Sequence, residues 1–110
     1  QGGHRTLGLV EVGLDHGAGN FFSIEPGFYV PHEFGLRIEN LYFAKKFDNH
    51  IKLEGVTLAP YELDLINWKL INAQEKLSIK KYHQKIYHTF QGQLEPIYRS
   101  YFEKNLINKL

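Results

Sequence analysis

Cysteine and methionine are both missing from this 110-residue chain. Without cysteine there is neither a disulfide framework nor a thiolate metal site, and the absence suits a reducing compartment such as the cytoplasm. The chain opens on Gln1 and holds no initiator Met, so it reads as processed or as a fragment of something longer. Long apolar runs are lacking: nothing approaches the roughly 18 residues of a membrane span. No charged stretch followed by an apolar one opens the chain, so no secretory signal is read. An excess of either charge is lacking too. Thirteen Lys and Arg against 12 Asp and Glu leave +1, which gives a nucleic acid nothing to grip.

What is present argues for a packed protein. Hydrophobic residues make up 43% and aromatic ones 15%, more than a disordered segment carries. At 12.9 kDa the chain is one small domain or the tail of a larger one. Three zones separate. Residues 1–20 hold six of the ten glycines, with His4 and His16 among them, and Leu7–Val12 could form a short strand. Residues 21–60 read as β. Phe21–Ile24 is closed by Glu25-Pro26-Gly27, a turn signal. Phe28–Val30 stops at Pro31, and residues 35–44 alternate so that Arg37, Glu39, Leu41 and Phe43 share one strand face. Lys45–His50 reads as a polar connection to a second strand over 51–58, antiparallel to the first, with Gly55 a candidate bulge.

The remainder reads as helix. Asn72 and Glu75 have capping-box spacing. Beyond them Leu77 or Ile79, then Tyr82, His83, Ile86 and Phe90, recur at helical intervals opposite Lys80, Lys81 and Lys85. Gly92 is placed as the C-cap. A second helix over about 94–106 accommodates Pro96 only in its first turn. No internal repeat is read.

The residues that could carry chemistry are Glu25 and Glu39. Each carboxylate sits in an apolar, aromatic context, where an ionised group is costly unless paired or bound to a cation. Two carboxylates converging from neighbouring strands suit hard or borderline divalent metals. The plainer alternative is an ion pair of Glu39 with Arg37 or a lysine at a sheet edge. Other histidines weigh less: His83 and His88 have poor spacing for a metal and His83 reads as packing, His50 as solvated, and His32 as a residue able to line a pocket. Tyr61 and Trp68 read as core or interface aromatics.

Glu25-Pro26-Gly27-Phe28-Tyr29, followed by Gly35-Leu36-Arg37-Ile38-Glu39-Asn40, closely resembles the corresponding segments of the aminopeptidase P (Xaa-Pro aminopeptidase) family. The likeness continues through Leu53–Pro60, Leu65-Ile66, Glu75 and Tyr82-His83. It implies an α+β fold: the C-terminal part of the pita-bread metallopeptidase domain over residues 19–110, with antiparallel strands followed by two helices. Residues 1–18 are a divergent glycine-rich segment. The resemblance further implies two divalent metal ions, manganese first and zinc or cobalt next, held in the family by two Asp, one His and two Glu. Glu25 and Glu39 stand at the two Glu positions and Arg37 at the family's nearby Arg. His32 lies in the loop between the Glu positions. The Asp ligands have no counterpart here. His4 and His16, 21 and nine residues before Glu25, do not match the order or spacing of the His ligand. The implied parent activity is release of the N-terminal residue from peptides with proline in second position, by a cytoplasmic enzyme able to form a homodimer. The alternative is a truncated, non-catalytic remnant serving as a folding or interaction module.

Overall fold

Prolines and two tight turns cut the first part of the chain into short strands. The computed structural model describes residues 4–6 and 18–110; the expected Leu7–Val12 strand and His16 lie outside the described residues. The chain divides into two compact units, residues 1–57 and 58–110.

The regular structure of the first unit, among its described residues, is all β. Strands β1 (His4–Thr6), β3 (Gly27–Val30) and β4 (Phe34–Arg37) form one antiparallel sheet in the order β1-β3-β4. Strands β2 (Phe21–Ile24), β5 (Asn40–Phe47) and β6 (His50–Gly55) form another, in the order β2-β5-β6. The single strand expected over 35–44 is thus two strands in two sheets, parted at Ile38-Glu39. The cause lies opposite: Pro26 has no N–H to donate, so the ladder loses a bond there. Ile38 N–H still donates to the Pro26 carbonyl at 3.1 Å. Register is unbroken through the gap, because Ile24 faces Asn40 on one side and Gly27 faces Arg37 on the other. The expected alternation therefore survives the break.

One long ribbon, residues 20–44, results. One face carries Ser23, Glu25, Tyr29, Arg37 and Glu39, with the Phe21–Phe43 ring pair, 4.9 Å between centroids, at its end. Its other face carries Ile24, Phe28, Phe34, Leu36 and Ile38. All five remain 36–55% exposed. Pro31-His32 turns the β3–β4 hairpin: Glu33 N–H donates to Val30 at 3.1 Å and His32 takes φ 62°. A positive φ at the third turn position is uncommon outside glycine, though His tolerates it better than most residues.

The expected polar connection at Lys45–His50 is mostly strand. Only Asp48-Asn49 turns, with Phe47 facing His50 and Asp48 at φ 47°. The second strand ends at Gly55, earlier than expected. Val56 and Thr57 N–H groups both point to the Leu41 carbonyl, at 2.8 and 3.4 Å, so two residues oppose one, as in a bulge. Thr57 Oγ1 accepts from Leu41 N–H at 2.7 Å.

The second unit begins with two 3-10 turns, Leu63–Leu65 and Trp68–Leu70, and continues in α1 (Ala73–Phe90). The capping box forms as the spacing predicts: Asn72 Oδ1 accepts from Glu75 N–H at 2.8 Å, and Glu75 Oε2 accepts from Asn72 N–H at 2.9 Å. Ile79 rather than Leu77, which is 43% exposed, begins the inward stripe. Gly92 does not cap α1 in a left-handed conformation; the helix tightens into a 3-10 turn, Gln91–Gln93. Helix α2 (Pro96–Phe102) has Pro96 in its first turn and runs on into a π-helical turn, Glu103–Ile107.

The core of this unit is small: Leu63, Ile86, Ile107 and the fully buried His83. The imidazole is a polar staple as well as a packing residue. Its Nε2 accepts from Tyr61 N–H at 2.9 Å and its Nδ1 lies 2.6 Å from the Leu106 carbonyl. These partners fix the tautomer with the proton on Nδ1. Rings of Tyr61, Tyr82 and Phe102 surround it.

Candidate metal centre

Antiparallel pairing alternates two kinds of opposed position. In the ribbon the hydrogen-bonded kind falls on pairs such as Asn20 with Ala44 and Pro26 with Ile38. The intervening pairs, including Glu25 opposite Glu39, are then of the non-hydrogen-bonded kind, where Cα atoms stand about 4.5 Å apart and side chains lie closest. Two carboxylates fourteen residues apart in sequence thus start from adjacent points on one face. Like charges so opposed repel, and a shared cation or a nearby guanidinium offsets the repulsion.

A guanidinium is there. Arg37 Nη1 donates to Glu25 Oε2 at 2.5 Å, so the sequence-level pairing of Arg37 with Glu39 is replaced by one with Glu25. The other Glu25 oxygen, Oε1, accepts from Ser23 Oγ at 2.9 Å. Arg37 is itself held: its Nε donates to the Tyr29 hydroxyl at 2.8 Å, and its guanidinium carbon lies 5.8 Å from that ring's centroid. The hydroxyl of Tyr29 first, then the carboxylate of Glu25, push the Arg37 pKa above its already high ordinary value, so the group is a permanent cation. The sequence singles out Glu25, Arg37 and Glu39 as site residues but not Ser23 or Tyr29. The signal for both was the two-residue period, which puts 23, 25 and 29 on one face.

His32 is elsewhere. At the hairpin tip it is exposed, about 17 Å along the ribbon from Glu25 at ~3.3 Å per residue. His4, in β1, occupies the register position opposite Tyr29.

The C-terminal region of peptidase M24 is the family whose sequence profile matches, over residues 49–108. That stretch lies beyond Glu25 and Glu39. A candidate Xaa-Pro aminopeptidase of Saccharomyces cerevisiae is 42% identical over 87 residues, 76% of this chain and 12% of its own length. A candidate Xaa-Pro aminopeptidase P of Pyrenophora teres is 36% identical over 77 residues, 63% of this chain and 12% of the relative. The chain therefore spans about an eighth of the relatives it matches. Among solved structures, the X-prolyl aminopeptidase of Caenorhabditis elegans, a cytosolic enzyme with a di-nuclear active site, superposes with a TM-score of 0.66 at 21% identity. The match covers 81% of this chain and 16% of that one. The fold is the C-terminal part of the pita-bread fold, antiparallel strands followed by two helices.

Proposed function

The chain belongs to the peptidase M24 family, whose C-terminal region it carries, and from that premise we propose that it is the C-terminal part of a dinuclear-metal Xaa-Pro aminopeptidase. Its reaction is removal of the N-terminal residue from peptides with proline in second position. The observation that carries this reading is the opposed register of Glu25 and Glu39 on one ribbon face.

The donor set suits a hard or borderline divalent ion: carboxylate oxygens only, with manganese favoured and zinc or cobalt as substitutes. Glu25 and Glu39 are the ligands. Arg37 orients Glu25 and offsets its charge, and Ser23 fixes its second oxygen. Divalent ions held by Glu25 and Glu39 would supply a water of lowered pKa and a Lewis acid for the scissile carbonyl. His32, at the tip, meets substrate only away from the carboxylates. The complete enzyme is proposed to be cytoplasmic, in keeping with the cytosolic C. elegans relative, and able to form a homodimer.

Two carboxylates, one of them neutralised by Arg37, cannot fix two ions in an open geometry. Further ligands are required, and the 110 residues alone are expected not to turn over substrate. The second reading, a non-catalytic folding or interaction module, draws on one observation: among the described residues no three His, Asp or Glu side chains gather into a metal site.

Titration with Mn2+ followed by paramagnetic broadening tests the ligands. Selective loss of signals around residues 23–27 and 37–41, abolished by Glu39→Gln, is expected. Broadening spread over all surface carboxylates would sink the assignment. Turnover of an Xaa-Pro peptide by the unsubstituted chain with Mn2+, abolished by Glu39→Gln, would show that the two carboxylates suffice.

A further inference from the structure

Gly27, Tyr29, Gly35 and Arg37 occupy the four corners of one box on the β3–β4 ladder: Gly27 faces Arg37 and Tyr29 faces Gly35. Tyr29 and Arg37 are the diagonal pair, whose Cα atoms stand about 7–8 Å apart in a sheet. They meet because the Tyr29 ring lies down across the two empty corners. A Cβ added at Gly35 would stand 2.5 Å from Tyr29 Cδ1 and 3.0 Å from Cε1. One added at Gly27 would stand 2.7 Å from the hydroxyl oxygen, 2.8 Å from Cε2 and 2.9 Å from Cζ. Both ends of the ring are therefore in the space that a side chain at these positions would fill.

Nothing in the backbone asks for glycine here. Among the described glycines only Gly19 has a positive φ, so Gly27 and Gly35 have torsions open to any residue. Glycine also weakens a strand. Two of them on one face of a pair of four-residue strands mark a close approach, and what approaches is the ring.

We propose that Gly27 and Gly35 are positioning residues, a floor without side chains that lays Tyr29 flat so that its hydroxyl aims Arg37 at Glu25. The use of this device rests on the reading of Glu25 as a metal ligand; its geometry does not. Any Cβ at position 35 strikes the near edge of the ring and lifts it. One at position 27 strikes the far edge and the hydroxyl. In either case Arg37 Nε loses its acceptor and the guanidinium swings away from the carboxylate.

The test is Gly35→Ala and Gly27→Ala in the full chain, read at the Arg37 Nε–H resonance by 15N NMR. In the unsubstituted chain this proton is protected by the Tyr29 hydroxyl. Each substitution is expected to speed its exchange with water about tenfold, the loss of one hydrogen bond of ordinary net strength, while cross-strand contacts between β3 and β4 persist. Tyr29→Phe should give the same loss with the floor intact. With Tyr29→Ala already in place, Gly35→Ala should do no harm, because the ring it would strike is gone. Unchanged protection in both alanine variants overturns the proposal. So does a Gly35→Ala variant that stays unfolded when Tyr29→Ala is added. Absence of Mn2+ binding by the unsubstituted chain would instead remove the metal reading and leave the glycine floor standing.

Discussion

Glu25 and Arg37, twelve residues apart in sequence, are diagonal neighbours across one ribbon face and share a 2.5 Å hydrogen bond. The pair is half exposed, 47% for the Arg37 side chain and 30% for that of Glu25. Water therefore screens it, and it contributes geometry more than stability.

Arg37→Lys tests that separation. A lysine keeps the charge but has no fork with which to reach Tyr29 and Glu25 together. The thermal midpoint of the variant is expected to stay close to that of the parent, while Mn2+-induced broadening near Glu25 changes in pattern. A large fall in the midpoint would mean that the pair holds the ribbon together.

His83 carries the opposite balance. Its side chain is fully buried and bonds two backbone groups. His83→Phe fills the space but strands Tyr61 N–H and the Leu106 carbonyl, for a loss of about 2 kcal/mol or more; His83→Ala adds a cavity and costs more. Urea denaturation of the full chain measures both, and equal stability of the His83→Phe variant would show that the staple carries no weight.

Tyr87 makes the second unit sensitive to alkali. Its hydroxyl donates to Glu103 Oε1, and this bond first, then burial, raises its pKa above the ordinary tyrosine value, with the nearby Arg99 opposing. The folded chain holds this proton more tightly than the unfolded one. The stabilisation is thus fully present below the ordinary tyrosine range and disappears as pH rises through the higher folded value. Phenolate absorbance should show one tyrosine titrating late. Tyr87→Phe should remove that late step and flatten the alkaline decline in melting temperature. A decline of the same steepness in the variant would assign it to other groups.

The apolar ribbon face predicts behaviour in solution. Phe28, Phe34 and Leu36, 36%, 55% and 52% exposed, form a strip that reaches β4, which pairs with no strand but β3 among the described residues; an apolar strip at a sheet edge favours association. Sedimentation of the chain is expected to depend on concentration. Replacing the three with Thr, which keeps strand propensity, should shift the population toward monomer. A sharp, concentration-independent monomer in the parent chain would contradict this.

Much of this was legible in the sequence because it is local. The capping box at Asn72 and Glu75 depends on a three-residue spacing, Pro96 on the first turn of a helix, and the shared face of Arg37 and Glu39 on a period of two. Each is set by bonds and torsions within a few residues. Gly92 shows where local rules stop: glycine after a helix permits a left-handed cap, but whether the chain takes it or tightens into a 3-10 turn depends on where the next element must start.

The tertiary structure decided the pairings. The sequence paired Arg37 with Glu39, and the structure gives it Glu25 instead, because the choice depends on strand register, set by hydrogen bonds between residues far apart in the chain. Register also placed Pro26 opposite Ile38, where the expected strand parts, set Glu25 across from Glu39, and laid Tyr29 over Gly27 and Gly35, which the sequence shows only as a turn signal and as the start of a strand. His83 is the same case in the helical unit: periodicity turned it inward, but only packing could bring Tyr61 and Leu106, each more than twenty residues away, to its two nitrogens. A buried polar ring needs both partners at once, and no spacing along a single segment could supply them.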